Sequence, residues 1–197
     1  MNITTADIKE LRDATGVSVM QCKKALEEAG GDMEKAKIIL RKISKISADK
    51  KAERSLGAGA VVSYIHSSGT VGAMVELLCE TDFVARNEDF KALGHSIAMH
   101  IAAQAPEYLK LEDIPEDAKS KARDLFMQEA EEEGGNKPKD IKEKIVEGKL
   151  GSYLKEKVLL DQPFIKNQDV TIKGLLDEAT QKFGERTEIG KFVRFAI

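Results

Sequence analysis

Residues able to do covalent chemistry are sparse in this 197-residue chain, which carries three histidines and two cysteines. His95 and His100 lie on a stretch of helical period, where their spacing points them to different sides and away from a shared metal ion. His100 shares a helical face with Leu93 and Ile97, the setting of a hydrogen-bonded core histidine. His66 stands instead at the tip of a predicted hairpin, as a surface histidine or as a contact held out on a stiff support. Cys22 and Cys79 form no CxxC pair and read as small core hydrophobes, a reactive or bridging thiol being the alternative. No GxxxxGK[ST] loop, GxGxxG turn, GxSxG elbow or HExxH helix occurs. What remains is a pair, Asp82 and Phe83, within "ELLCETDFVARNEDF" at residues 76–90. Either Asp82 caps the turn while Phe83 folds back onto the following helix, or the pair protrudes and offers the ring to a partner's apolar pocket.

The elements that must position these residues can be read from period and caps. Three short helices are predicted in the first fifty residues. Thr4 with Asp7 gives a weak start signal, Ser18 with Gln21 a better capping box, and Asp32 caps the third helix. Val19, Cys22 and Leu26 fall on one face of the second helix, and Ala36, Ile39, Leu40 and Ile43 on one face of the third. Met20 projects away from Cys22, among Gln21, Lys23 and Lys24, where core packing does not account for it. Residues 46–59 lose periodicity and collect cations and small residues. They read as a linker between an N-terminal module (1–45) and a core (60–197), either a solvated tether or a segment whose cations touch phosphates.

From Ala60 the period becomes two. "AVVSYIH" and "VGAMVELLCE" flank "SSGT" as a β-hairpin, with Val75, Leu77 and Cys79 on one face and Glu76 and Glu80 on the other. A helix over about 87–103 buries Phe90, Leu93, Ile97 and Ile101. Two charged helices joined at Gly134-Gly135 follow, then an extended "VLLDQPFI", a short helix and a last strand "KFVRFAI". Strands and helices without regular βαβ alternation predict an α+β fold, an antiparallel sheet packed with helices and a charged helical hairpin.

Composition narrows the function classes. A third of the residues are charged, 5% are aromatic and the formal charge is −3, which argues against a general nucleic-acid binder. No segment has the length and apolarity of a membrane span or a signal peptide. A cytoplasmic protein with no cofactor and no metal is expected, and not an enzyme.

Two long motifs then give a resemblance. "LRDATGVSVMQCKKALEEAGGDMEKA" and "CETDFVARNEDF" resemble the two signatures of the elongation factor Ts family. "HSIAMHIAAQAPEYL", "IKEKIVEGKLGSYLKEKVLLDQPFI" and the closing "FVRF" are similar to it as well, so the likeness covers essentially the whole chain. The resemblance implies a three-helix (UBA-like) N-terminal bundle and a guanine-nucleotide exchange factor for elongation factor Tu in translation. It implies that Thr81, Asp82 and Phe83 form a turn inserted beside the Mg²⁺ and phosphate site of the partner. It implies that Arg12, Val19 and Met20 dock the N-terminal module on the same domain, and that His66 touches domain 3. This chain departs from the usual family residues at Ser18, Val19 and Gln21, where glycine, methionine and aspartate are common. Longer members carry the core twice, with the wedge in one copy and the histidine hairpin in the other; short members with both on one core are expected to form a homodimer. The alternative class is a non-catalytic interaction scaffold with a small helical recognition module.

Overall fold

Helix α1 (Thr5–Thr15) starts at the fullest cap of the N-terminal region. Thr4 Oγ1 accepts from Asp7 N at 3.2 Å, and Asp7 Oδ2 accepts from Thr4 N at 2.8 Å. The Thr4 N–H and the Thr4 hydroxyl, both donating to Asp7 Oδ2, hold the Asp7 carboxyl below its ordinary pKa. The expected ranking of caps is therefore reversed. At α2 (Val19–Glu28), Ser18 accepts from Gln21 N, but the Gln21 carbonyl oxygen takes the Ser18 hydroxyl proton instead of reaching back to the backbone. The computed structural model describes residues 3–133 and 138–197.

Helix α3 (Met33–Lys51), capped by Asp32, runs well past residue 45. The linker expected over 46–59 is thus helical in its first part, and the sheet begins at Ala58, so only Ala52–Gly57 joins the two. The helical period does not stop at Ile43. It passes to the small residues Ser44, Ser47 and Ala48, all buried or half-buried. Apolar side chains form two separate clusters. One joins Leu11, Val17, Cys22, Leu26 and Leu40 of the first three helices. Val19 lies outside it, exposed on α2 and off the stripe that Cys22 and Leu26 form.

The second cluster is built on an antiparallel sheet of β1 (Ala58–Ile65), β2 (Val71–Cys79) and, after the helices, β5 (Glu188–Ala196), in the order β1-β2-β5. Val75, Leu77 and Cys79 of β2 are fully buried, beneath Phe90, Ile97 and Ile101. Those three belong to α5 (Glu88–Gln104), which follows the single turn α4 (Asp82–Ala85). Gly94, rather than Leu93, sits at the closest approach: a methyl group there would lie 2.8 Å from Val62 Cγ2. Alternation of apolar residues along β2 and the 3.6 period along α5 thus produce one shared interface.

The charged helices α6 (Glu116–Glu133) and α7 (Lys139–Lys157) pack on each other through Phe126 and Tyr153 and through Arg123–Glu147 at 2.8 Å. Their expected junction at Gly134-Gly135 lies outside the described residues. The segment expected to be extended begins with a 3₁₀ turn at Leu159–Asp161, then forms β3 (Pro163–Phe164), paired with β4 (Asn167–Thr171). Gln162 explains the turn, because its amide donates to Glu156 O at 2.6 Å while its Oε1 meets His100 Nε2 at 2.9 Å. Helix α8 (Ile172–Phe183), capped by Thr171, lies along α3 and leads to β5. Among the described residues no helix is long and apolar enough to cross a membrane.

His100 is a buried core residue on α5. Its Nδ1 accepts from Ile165 N at 3.2 Å, so Nε2 carries the proton and donates to Gln162. Burial pushes its pKa below the ordinary 6.5, the Gln162 bond opposing. The folded state therefore keeps the ring neutral at pH values where the unfolded chain protonates it. Stability should fall as pH drops below 6.5 toward the lowered folded value. Denaturant midpoints measured across that range should decline in the parent and decline less steeply in His100→Gln.

Candidate functional site

The turn after β2 is shaped by what it buries. Val84 and Ala85 of α4 enter the core beside Cys79, and this forces the two preceding side chains outward. Phe83 is 81% exposed, the most exposed aromatic ring of the described chain. It does not fold back on α5; the ring on that stripe is Phe90, edge-on to Phe183 at 5.6 Å. Asp82 does not cap the turn either. Thr81 holds the N-cap position, and the Asp82 carboxylate pairs with Arg86 at 2.9 Å, both groups exposed. Such a pair orients the side chains but contributes little stability.

The turn is clamped from both sides. Below it, burial raises the Cys79 thiol pKa, and the protonated Sγ donates to Thr81 O at 3.2 Å. Above it, the Glu185 carboxylate accepts from Glu80 N at 3.1 Å, Thr81 N at 3.0 Å and the Thr81 hydroxyl at 2.6 Å. Glu80 in turn accepts from Arg186 N at 2.7 Å and pairs with Arg54 at 3.3 Å. The Arg186 backbone bond is the main reason its carboxyl pKa is lowered. Sequence reasoning missed Glu185, Arg186 and Arg54. Nothing local marks them, since their partners lie far along the chain.

The other singled-out residues fall in two further places. Met20 and Val19 are 69% and 54% exposed on the first turn of α2, and Arg12 is exposed on the last turn of α1. Between these helices Gly16 adopts a left-handed φ of 67°, and a methyl group there would lie 2.9 Å from Lys182 Cδ. Lys182 also pairs with Asp89 at the start of α5, at 2.9 Å. One side chain therefore joins the α1–α2 corner to the element that follows Phe83.

His66 is exposed at the hairpin tip, where Ser68 N donates to its Nδ1 at 3.3 Å. It sits at the opposite end of β2 from Thr81, about 30 Å away at the usual rise per residue. Thr81, Asp82 and Phe83 thus stand together, Arg12, Val19 and Met20 lie on either side of the Gly16 corner that Lys182 packs against, and His66 is remote. His95 is exposed while His100 is buried, and no group of side chains among the described residues could hold a metal ion.

The clamped turn thus presents one exposed aromatic ring beside the Asp82–Arg86 pair. The family described as Elongation factor TS matches residues 3–197. This chain belongs to the elongation factor Ts family. It is 47% identical over 197 residues to the elongation factor Ts of Coprothermobacter proteolyticus, covering 100% of this chain and 99% of the relative. With that of Carboxydothermus hydrogenoformans the identity is 50% over 195 residues, 99% of this chain and 89% of the relative. With that of Fervidobacterium nodosum it is 46% over 197 residues, 100% and 99%. The family name places the chain among the elongation factors of protein biosynthesis.

Exposure separates the two aromatic residues that flank the turn. Phe83→Ala should change unfolding free energy by less than about 0.5 kcal/mol. Phe90→Ala, at a fully buried site, should cost about 3–5 kcal/mol. Urea denaturation of both variants against the parent makes the comparison.

Proposed function

We propose that this member of the elongation factor Ts family is a guanine-nucleotide exchange factor for elongation factor Tu, working in the cytoplasm. The observation that carries the reading is the Phe83 ring, 81% exposed on a turn whose next two residues are buried. In the proposed mechanism Thr81, Asp82 and Phe83 enter the nucleotide-binding domain of elongation factor Tu. They disturb the region that holds Mg²⁺ and the phosphates, and GDP leaves. Arg12, Val19 and Met20 hold the N-terminal helices against the same domain, and His66 contacts domain 3. Burying one phenylalanine supplies roughly 1.5–3 kcal/mol, about one to two factors of ten in an equilibrium constant. Because coupling between two ligands of one protein is reciprocal, GDP weakens the factor on its partner as much as the factor weakens GDP.

Two observations support a homodimer. The sheet covers its inner face with α5, but its outer face carries exposed Val61, Ile65, Met74, Val193 and Phe195 on adjoining strands. An apolar face of this kind is buried well by a second copy of itself. His66 and Phe83 lie at opposite ends of β2, so a dimer lets one partner meet the ring of one subunit and the histidine tip of the other.

Fluorescent-GDP release from purified elongation factor Tu tests the reading. The parent should accelerate release, and Phe83→Ala should slow the catalysed rate by about tenfold or more. Met20→Ala should weaken partner binding by less than that. A chain that binds elongation factor Tu without accelerating release is a scaffold, not an exchange factor. Light scattering at micromolar concentration should give about twice the 21.7 kDa chain mass, and Phe195→Asp should give the monomer. A monomeric parent would defeat the dimer.

A further inference from the structure

A single helical turn of four residues, α4, has almost no stability of its own, because nucleating a helix fixes several residues for one hydrogen bond. Its N-terminal donors also lack a local cap: Thr81 occupies the N-cap position, yet its side chain makes no capping bond. Left to itself, such a turn would fray, and Phe83 would swing with it. Burial of Val84 and Ala85 anchors its far end and the Cys79 thiol holds Thr81 O from below, while the donors at its entrance are held by the connection between α8 and β5. Glu185 takes all three donors at the entrance to the turn, Glu80 N, Thr81 N and Thr81 Oγ1, on its two carboxylate oxygens. The next residue, Arg186, gives its own N–H to the Glu80 carboxylate and its guanidinium to Arg54 O and to Glu188. Two consecutive residues after β2 therefore exchange hydrogen bonds with two consecutive residues after α8. The clasp closes around the residue before Asp82.

We infer that Glu185 is a positioning residue for nucleotide exchange: its carboxylate fixes the direction in which the Thr81–Phe83 turn leaves the sheet. The inference rests on the reading of Phe83 as the inserted group. A ring on a yielding turn can enter a partner's pocket by bending its own backbone, and then little of the insertion energy reaches the nucleotide site. A ring on a clasped turn cannot bend away, so the partner must move. Glu185 touches neither nucleotide nor partner in this scheme. Its loss should lower the release rate reached at saturating factor and leave the half-saturating concentration, set largely by the N-terminal helices, unchanged.

The experiment compares full-length parent, Glu185→Ala, Glu185→Gln, Phe83→Ala and the Phe83→Ala/Glu185→Ala double variant. The assay is fluorescent-GDP release from elongation factor Tu across a range of factor concentrations. Glu185→Ala should reduce the saturating rate by about fivefold, with half-saturation within about twofold of the parent. Glu185→Gln keeps the shape and a carbonyl acceptor but not the second one, and should fall between; it carries the test if the alanine variant does not fold. Adding Glu185→Ala to Phe83→Ala should slow release no further, because there is no ring left to aim. Amide hydrogen exchange at Glu80 and Thr81 should quicken in Glu185→Ala, which a loss of general stability alone would not confine to those two. A parental saturating rate in both Glu185 variants, with Phe83→Ala slow, overturns the positioning role and leaves the wedge standing. A raised half-saturating concentration at unchanged saturating rate overturns it too, by making Glu185 a docking residue. A parental rate in Phe83→Ala removes the wedge reading and the positioning role together.

Discussion

Most of the architecture depends on one apolar interface, the stripe of α5 laid on the inner face of β2. Phe90, Ile97 and Ile101 cover Val75, Leu77 and Cys79, all of them fully buried. The interface fixes the end of a strand and the start of a helix, leaving a short connection between two anchored points. Val84 and Ala85 are drawn inward by the same cluster, so the residues before them have nowhere to go but outward. An exposed phenylalanine in such a place follows from how its neighbours are buried. Keeping a large ring in water forgoes roughly 1.5–3 kcal/mol that the isolated chain could gain by burying it. That unspent free energy is what an exchange factor needs, because it must disturb a tightly held nucleotide by binding alone.

The N-terminal helices are held to the rest by a polar seam, not by a shared apolar core. Arg41 pairs with Glu178 at 3.3 Å and donates to Asp169 O, Ser44 bonds to Gln181, and Lys51 donates to Thr180 O. Small residues on α3 let α8 approach closely enough for these bonds. Lys182 adds the link from Gly16 to Asp89. Such contacts set an orientation at modest gain in stability, since much of each ion pair's attraction offsets lost hydration. In a protein proposed to grip one partner at two places, orientation is what the seam has to provide.

Much of this was legible in the residues themselves. Alternation along β1 and β2, the change of period at α5 and the apolar stripes of α2 and α3 follow from side-chain period alone, except that Val19, placed on the α2 stripe by period, lies exposed beside it. The failures have physical reasons. Local pattern ends α3 early because the period past Ile43 is carried by Ser44, Ser47 and Ala48, which look polar or neutral in isolation, and Ser44 is buried where its hydroxyl meets Gln181 of α8. Local pattern predicts an extended stretch before Pro163 because it carries no sign of a buried Gln162 bonded to a helix end and to His100. The Thr4 cap reads as weak in the sequence because Asp7 at N3 does the work usually expected of glutamate. The protruding turn itself was visible as an alternative, but its clasp was not. Glu185 and Thr81 lie 104 residues apart, and only the folded chain brings them within 2.6 Å.

The central claim is that the ring at position 83 enters the nucleotide-binding domain of elongation factor Tu and that no covalent step is involved. Replacing Phe83 with a photoreactive phenylalanine analogue, and irradiating the complex with nucleotide-free elongation factor Tu, tests it most directly. The account predicts adducts confined to peptides around the Mg²⁺ and phosphate site, diminished by excess GDP with Mg²⁺. Adducts on another domain, or a yield no higher than from the same analogue at exposed Glu112, would contradict it.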